Sequence, residues 1–511
     1  MNNIERVSLL ISSMSKPEKR GFKLYCNIQK NEKVYMALFD TIDSLVVRDC
    51  NKIWQRFEQE NPSRSIEVAA GYLYKHLLDF LVQKRVERSI QAKIFKQIEM
   101  SKVLFERKLP QEATEELAVA SQMAQTYEDD IMQMLVARVE MLQASELGFA
   151  GLSEKELISR QMNALAVMKY SRAISQHNFL LDVLNYRLLH KRHSAPEKEM
   201  LNDLVLNELH IVSGNTYTGF QAEKLHLLFQ SAYYIEVGNY VSAVRNYKRL
   251  LELFKENYHL IQNPPIYYLN ALVGVLESLF TVGAYAEMEH FIEVLRKLSH
   301  EDYPTDFLLK VSWLEYQYRM RISLQTGDWE KMNGTREQFS RIFPGKVVYL
   351  PLDVQLKYRL IDALAFFVNG KLKEAQKSLK PVFSIGKIFR HLPLFRLVRL
   401  VHLLILVESG GSDFIDVEIA ALKRVSSGEK LSKTERLVLK FIQDYPLPCY
   451  QKMRNRMWNA YKPKIVSIRQ DKQECKLLKY FDFLSFMESR ITGQPFQDVL
   501  KCKMREGIGN E

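Results

Sequence analysis

Residues 233–254 read YYIEVGNYVSAVRNYKRLLELF, and this stretch decides the fold. Apolar side chains recur at helical spacing on both sides of Gly238 and Asn239, and this pattern indicates two amphipathic helices. Glycine is the residue that most easily takes the left-handed conformation at which many helices end. We therefore predict a corner at Gly238 that joins two antiparallel helices.

The residues around this corner follow the spacing of a known repeat. An aromatic residue, a turn glycine, a second aromatic, an alanine and a third aromatic stand in order at Tyr234, Gly238, Tyr240, Ala243 and Tyr247. This order resembles the tetratricopeptide-repeat (TPR) signature, in a degenerate copy where Leu250 replaces the usual second alanine. Near the N-terminus, SKPEKRGFKLY and YMALFDTI resemble the start of bacterial TPR-type proteins whose function is uncharacterised.

The same corner returns further along the chain. It is seen at Gly283 and Tyr285, at Gly327 and Trp329, at Gly370, Leu372 and Ala375, and in a weaker copy at Phe414. From Tyr240 onward the marker residues are 45, 44, 43 and 42 residues apart, which is longer than the roughly 34 residues of the standard repeat. The resemblance implies an all-α, right-handed superhelical solenoid of antiparallel hairpins, although HEAT-like helical pairs share the pattern.

Upstream of residue 220 the repeat is harder to follow. We expect a corner at Leu109, then one long helix to about Met141, and two further corners around Phe149 and Ala195.

Both ends of the chain depart from the period, and solenoids need caps over their terminal apolar faces. We therefore predict an N-terminal helical cap at 1–95, a TPR-like solenoid at 96–430 and a basic helical segment at 431–511. Ser-x-x-Glu patterns that begin at Ser15, Ser153 and Ser432 predict capped helix starts.

Composition indicates a folded cytoplasmic protein. Hydrophobic residues make up 47% of the chain and charged residues 26%. The five cysteines are scattered without a CxxC pair, as expected of reduced thiols. No signal peptide or membrane span is expected.

The net charge of +12 is concentrated in residues 451–480, where nine Lys and Arg stand against two acids. With Trp458, Tyr461 and Tyr480 among them, these residues fit either nucleic-acid binding or a solvated basic helix face.

No motif for catalysis, a cofactor or a metal is evident. The chain lacks a P-loop, a GxSxG elbow and an HExxH pair. His190, His193 and Glu197 are the nearest approach to a metal cluster, but Lys191 and Arg192 between them would repel a cation, so we interpret them as a solvated helix end.

The resemblance also implies where a ligand would bind. In TPR proteins the first helix of each hairpin lines a concave wall that grips a peptide. The matching positions here are Ala232, Glu236, Asn270, Glu277, Gln317, Arg321, Lys357 and Phe367. We expect a non-enzymatic scaffold or adaptor for a protein or peptide partner. The alternatives are a TPR-containing transcriptional regulator and a self-associating structural protein. In the regulator, DNA would be bound by basic C-terminal helices or by basic N-terminal helices whose Lys16, Lys19, Arg20 and Lys23 contact phosphates.

Overall fold

A computed structural model describes residues 3–27, 34–45, 50–62, 64–190, 199–214, 217–261, 264–301, 303–343, 347, 350–384, 389, 392, 394–410, 412–425, 431–448, 450–471 and 474–508. Within these ranges all regular structure is helical and no β-strand occurs, so the prediction of an all-α fold is confirmed. The chain divides into two compact units. Unit 1 is Met1–Val282 with His300–Leu309, and unit 2 is Gly283–Ser299 with Lys310–Glu511.

Among the described residues, unit 1 contains the first thirteen α-helices and a short 3-10 helix at Tyr258–Leu260. The helices are α1 (Asn3–Ser13), α2 (Lys16–Asn27), α3 (Val34–Ser44), α4 (Cys50–Glu60), α5 (Ile66–Arg88), α6 (Ile90–Glu106), α7 (Pro110–Thr126), α8 (Asp130–Glu146), α9 (Glu154–His190), α10 (Glu199–Val212), α11 (Phe220–Glu236), α12 (Tyr240–Glu256) and α13 (Ile266–Val282).

Unit 2 contains the remaining helices, apart from the first turn of α15. They are α14 (Tyr285–Leu298), α15 (Thr305–Thr326), α16 (Trp329–Phe339), α17 (Leu352–Val368), α18 (Leu372–Ser384), α19 (Leu394–Glu408), α20 (Ser412–Val425), α21 (Lys433–Gln443), α22 (Gln451–Gln470), α23 (Cys475–Leu478), α24 (Phe483–Thr492) and α25 (Phe496–Ile508). The boundary between the units falls inside the predicted solenoid, and the predicted domain limits at 95 and 430 stay predictions.

The first five helices share one apolar core. Phe22, Phe39 and Leu73 are fully buried in it. The predicted cap at Ser15 is confirmed, because the Glu18 amide donates to the Ser15 hydroxyl at 3.3 Å and the Ser15 amide donates to Glu18 Oε2 at 2.7 Å. The caps at Ser153 and Ser432 are formed in the same way. These serines therefore begin helices.

The corner at Gly238 has the geometry of a left-handed helix end. Gly238 has a φ of 78°. The amide of Asn239 reaches back to the Tyr234 carbonyl at 2.8 Å, and the Asn239 side chain accepts from the Ser242 amide at 3.1 Å to start α12. Gly283, Gly327, Gly370 and Gly410 also have φ values between 73° and 80°. Each stands between two helices, so the chain turns in the same left-handed way at these five glycines.

Close packing holds the hairpin of α11 and α12 to α13. Ala243 is fully buried, and the ring of Tyr247 is only 8% exposed. That ring lies directly against Gly274 of α13, where an added Cβ would come within 2.2 Å of the Tyr247 ring. A side chain at position 274 would therefore separate α12 from α13.

The expectation of one helix from the Leu109 corner to about Met141 is wrong. The chain turns instead between α7 and α8, where Glu128 has a φ of 49°. Asp129 then caps α8 by accepting from the Met132 amide at 3.0 Å. Lys108 and Phe149 also have positive φ beside the corners predicted at Leu109 and Phe149. The corner predicted at Ala195 lies outside the described residues.

Candidate functional site

The binding-wall positions implied by the resemblance divide between the two units. In unit 1, Ala232, Glu236 and Glu277 are half-buried and Asn270 is exposed. They lie on α11 and α13, which both pack against α12. All four therefore retain contact with solvent.

Most of the implied wall positions in unit 2 are not accessible to a ligand. Lys357 is half-buried, and its ammonium lies 3.1 Å from Asp353 Oδ2. Gln317, Arg321 and Phe367 are buried, with 5%, 2% and 6% of their surface exposed. The resemblance implies that these three line an open wall, and the structure instead covers them.

The C-terminal segment from Tyr480 to Gln497 forms this cover. The Arg321 guanidinium lies over the ring of Tyr480, 5.1 Å from its centroid. The ring of Phe367 lies 5.3 Å from that of Phe486 and 6.0 Å from that of Phe481. Because aromatic rings are stabilised by leaving water, the apolar C-terminal stretch packs on α15 and α17.

The corner of α15 and α16 is covered by the same segment. The ring of Trp329 stacks on that of Phe496 at 6.0 Å. A Cβ at Gly327 would lie 3.1 Å from the side chain of Gln497.

An ion pair links α24 to α25. Lys503 Nζ lies 2.6 Å from Asp482 Oδ2, and Asp482 also caps α24 by accepting from the Ser485 amide at 3.0 Å. Burial alone would raise the pKa of Asp482, yet that pKa is lowered because Lys503 and Ser485 stabilise its charged form. The C-terminal helices are thus fixed by polar contacts as well as by packing.

Unit 1 has an open cleft of about 470 Å³ beside the corner of α7 and α8. It is lined by Glu128, Gln133, Ala166, Val167, Tyr170, Thr218 and Gly219. These residues come from the corner, α8, the middle of α9 and the loop before α11. Sequence reasoning missed the site, because the corner has no glycine. The remaining signal was Asp129, a residue type favoured at helix starts.

The turn between α7 and α8 and the loop before α11 position Glu128 at the edge of this cleft. Its Oε2 accepts from the Gln221 amide at 3.4 Å. Gly219 has a φ of 100°, and a Cβ there would come within 3.1 Å of the same oxygen. Gln133 is fixed by donating to the Ala124 carbonyl at 3.1 Å. Glycine at 219 therefore allows the loop to approach the carboxylate.

The charge of Glu128 affects its neighbours. Burial raises the pKa of Tyr170, and the negative charges of Glu128 and Asp130 raise it further. The Tyr170 hydroxyl therefore stays protonated at neutral pH. Burial lowers the pKa of Lys224 to about 8, and Glu128 acts in the opposite direction. The Lys224 ammonium lies 4.4 Å from the centroid of the Tyr267 ring.

A cleft of this kind suits a side chain with an apolar stem and a cationic end. Ala166 and Val167 supply apolar surface, Tyr170 supplies an aromatic wall, and Glu128 supplies the opposite charge.

A second polar cluster in unit 1 is buried. Glu208 is fully buried, and it lies 2.5 Å from His226 Nδ1 and 3.8 Å from His177 Nε2. Gln230 donates to Glu208 at 2.9 Å, and His177 is hydrogen-bonded to the Tyr217 hydroxyl. Burial lowers the pKa of His177 to about 4, while Glu208 opposes this change and His226 adds to it. Neutral His177 is therefore part of the folded state.

Among the described residues, no group of three or more His, Cys, Asp or Glu side chains is placed to hold a metal ion. His193 and Glu197, considered above as metal ligands, lie outside those residues. In the same part of the chain, no helix is both long enough and apolar enough to span a membrane.

Comparisons with protein-family models, with curated proteins and with solved structures find no match to this chain.

Proposed function

We propose that this chain is a non-enzymatic, cytoplasmic scaffold or adaptor of the bacterial TPR type. In this proposal the helix hairpins stack as a right-handed solenoid, and their surface holds a segment of a partner protein. The support is the repeated left-handed corner at Gly238, Gly283, Gly327 and Gly370, together with the packing of α12 between α11 and α13.

The observation that carries the proposal is the cleft beside Glu128. On α15 and α17 the implied wall is covered by the C-terminal helices of unit 2, whereas the unit 1 cleft is open. Its carboxylate and aromatic wall favour a partner segment that inserts a lysine or arginine. Surface on α11 and α13 supplies further contacts for the same segment.

Photo-crosslinking from the two faces of α9 tests this proposal. Ala166 lines the cleft and Ser175 is exposed on the opposite face of the same helix, so a benzophenone side chain at either position makes a matched pair. In native lysate we expect a discrete polypeptide adduct from position 166, and we expect Glu128→Lys to abolish it.

Identical adducts from positions 166 and 175, or an adduct from 166 that survives Glu128→Lys, would contradict the assignment of the cleft.

The alternative of a DNA-binding regulator is weaker at the N-terminus than the sequence indicates. Lys19 pairs with Asp43 and Lys23 pairs with Asp40, each at 2.7 Å. Two of the four cations predicted to contact phosphates are therefore already neutralised within the helical cap.

A further inference from the structure

Helix α22 has an unusual charge for a helix of its length. Over Gln451–Gln470 it contains six Lys and Arg residues and no Asp or Glu. Tyr461, Ile465 and Ile468 are buried and attach one side of the helix to unit 2. The opposite side is exposed over about 30 Å, at the usual rise per residue.

Four of the six cations are exposed to solvent, two of them opposite the buried residues and two on the flanks of that side. They are Lys452, Arg456, Lys462 and Lys464. Within the described residues none of them forms an ion pair, whereas Arg469 pairs with Glu488 at 3.4 Å. These four exposed positive charges therefore have no carboxylate partner within the described residues.

The carboxylates that neighbour α22 in the sequence are already engaged. Asp444 accepts from the Tyr461 hydroxyl at 2.6 Å, Asp471 pairs with Lys433 at 2.8 Å, Glu474 accepts from the Lys433 and Thr434 amides at 2.7 and 2.9 Å, and Glu488 pairs with Arg469. The carboxylates next to α22 in the sequence are therefore not available to pair with its exposed cations.

The exposed face also has large uncharged side chains at its N-terminal end. Tyr450 is 77% exposed and Met453 is 56% exposed. Neither lies in an apolar core, so both are accessible beside Lys452 and Arg456. Basic side chains interleaved with an accessible aromatic ring are the usual surface for unpaired bases and their phosphates.

We propose that the exposed face of α22 binds single-stranded nucleic acid, with the four cations on phosphates and Tyr450 stacked on a base. A single strand is favoured over a duplex, because the exposed ring of Tyr450 can stack on an unpaired base, whereas the bases of a duplex are already stacked on one another. A lipid surface is disfavoured because the exposed hydrophobic residues of α22, Met453 and Val466, point in different directions and do not form the continuous apolar face that a membrane-surface helix inserts.

This inference goes beyond the scaffold proposal and needs no protein partner, so either can fail without the other. The test is fluorescence anisotropy of a labelled oligothymidylate of about 15 nucleotides with the full chain. For four phosphate contacts, affinity should fall about 50-fold between about 50 and 200 mM salt.

The matched variants remove the same charge from two helices of unit 2. K452Q/R456Q/K462Q/K464Q removes the four exposed positive charges of α22, and K371Q/K373Q/K377Q/K380Q removes the charges of four exposed lysines at α18. Glutamine keeps the helix propensity of lysine and arginine, and circular dichroism should show unchanged helicity in both. We expect at least a tenfold loss of affinity for the first variant and less than a twofold loss for the second.

Two further measurements separate nucleic acid from other anions. Tyr450→Ala should weaken binding about tenfold and Tyr450→Phe should leave it unchanged, because stacking needs only the ring. No binding at low salt, equal losses for both quadruple variants, or equally tight binding of polyglutamate or phosphatidylserine vesicles would overturn the proposal.

Discussion

Replacing Gly274 by alanine tests the packing of the hairpin series. Alanine normally stabilises a helix interior by about 1 kcal/mol relative to glycine. At position 274, however, the new Cβ would lie 2.2, 2.4 and 2.6 Å from three ring atoms of Tyr247. Ordinary carbon contacts are about 3.5–4.0 Å, so the ring must move by more than 1 Å or α12 must separate from α13.

The size of the effect follows from these two opposing contributions. Overpacking a core costs about 1–3 kcal/mol, and the buried ring of Tyr247 places this site at the upper end. After the gain in helix propensity, we expect Gly274→Ala to lower the free energy of unfolding by about 2 kcal/mol.

Gly71 of α5 provides the matched control. It also lies inside a helix of unit 1, and an added Cβ there meets no atom within 4 Å. Gly71→Ala should therefore stabilise by about 0.5–1 kcal/mol. Urea unfolding followed by circular dichroism should separate the two variants by about 3 kcal/mol, and Tyr247→Leu should relieve Gly274→Ala. Equal stability of the two single variants would refute the packing described for α12 and α13.

Three other changes have defined outcomes. In Gly370→Ala the added Cβ meets no neighbouring atom, so the only cost is the strain of a φ of 73°. Thermal unfolding should show a loss of stability of about 1 kcal/mol, and a stabilised variant would contradict this. Phe367→Ala should lower the free energy of unfolding by about 3 kcal/mol and speed hydrogen exchange in α24, because the ring packs on Phe486. Unchanged exchange in α24 would contradict this contact. The unfolded His177 imidazole binds its proton near pH 6.5 and the folded one near 4, so stability should fall by about 3 kcal/mol as pH drops through that window. His177→Gln should remove this dependence and His300→Gln should keep it, whereas equal pH profiles would exclude His177 as its source.

The sequence identified the corners wherever glycine marked them. Gly238, Gly283, Gly327 and Gly370 all have the left-handed backbone that only glycine adopts at low cost. The corner at Glu128 was missed, because glutamate is common inside helices and does not indicate a left-handed turn. The helical periodicity of apolar residues also continues on both sides of it.

The candidate site was harder to predict because it depends on contacts between distant segments. The cleft brings Glu128, Tyr170 and Gly219 together from three parts of unit 1, and no local pattern records that contact. The burial of Arg321 and Phe367 also depends on a segment more than 100 residues away in the chain. A family resemblance predicts which helix positions would line a binding wall, but it does not predict whether a distant segment of the chain covers those positions.

Hydrogen exchange of the chain with the polypeptide captured at position 166 tests the central claim most directly. If the unit 1 cleft holds a partner segment, protection should increase at residues 127–133, 164–170 and 217–221 and stay unchanged at 315–321 and 481–486. Protection confined to the last two ranges, or none at the first three, would contradict the account.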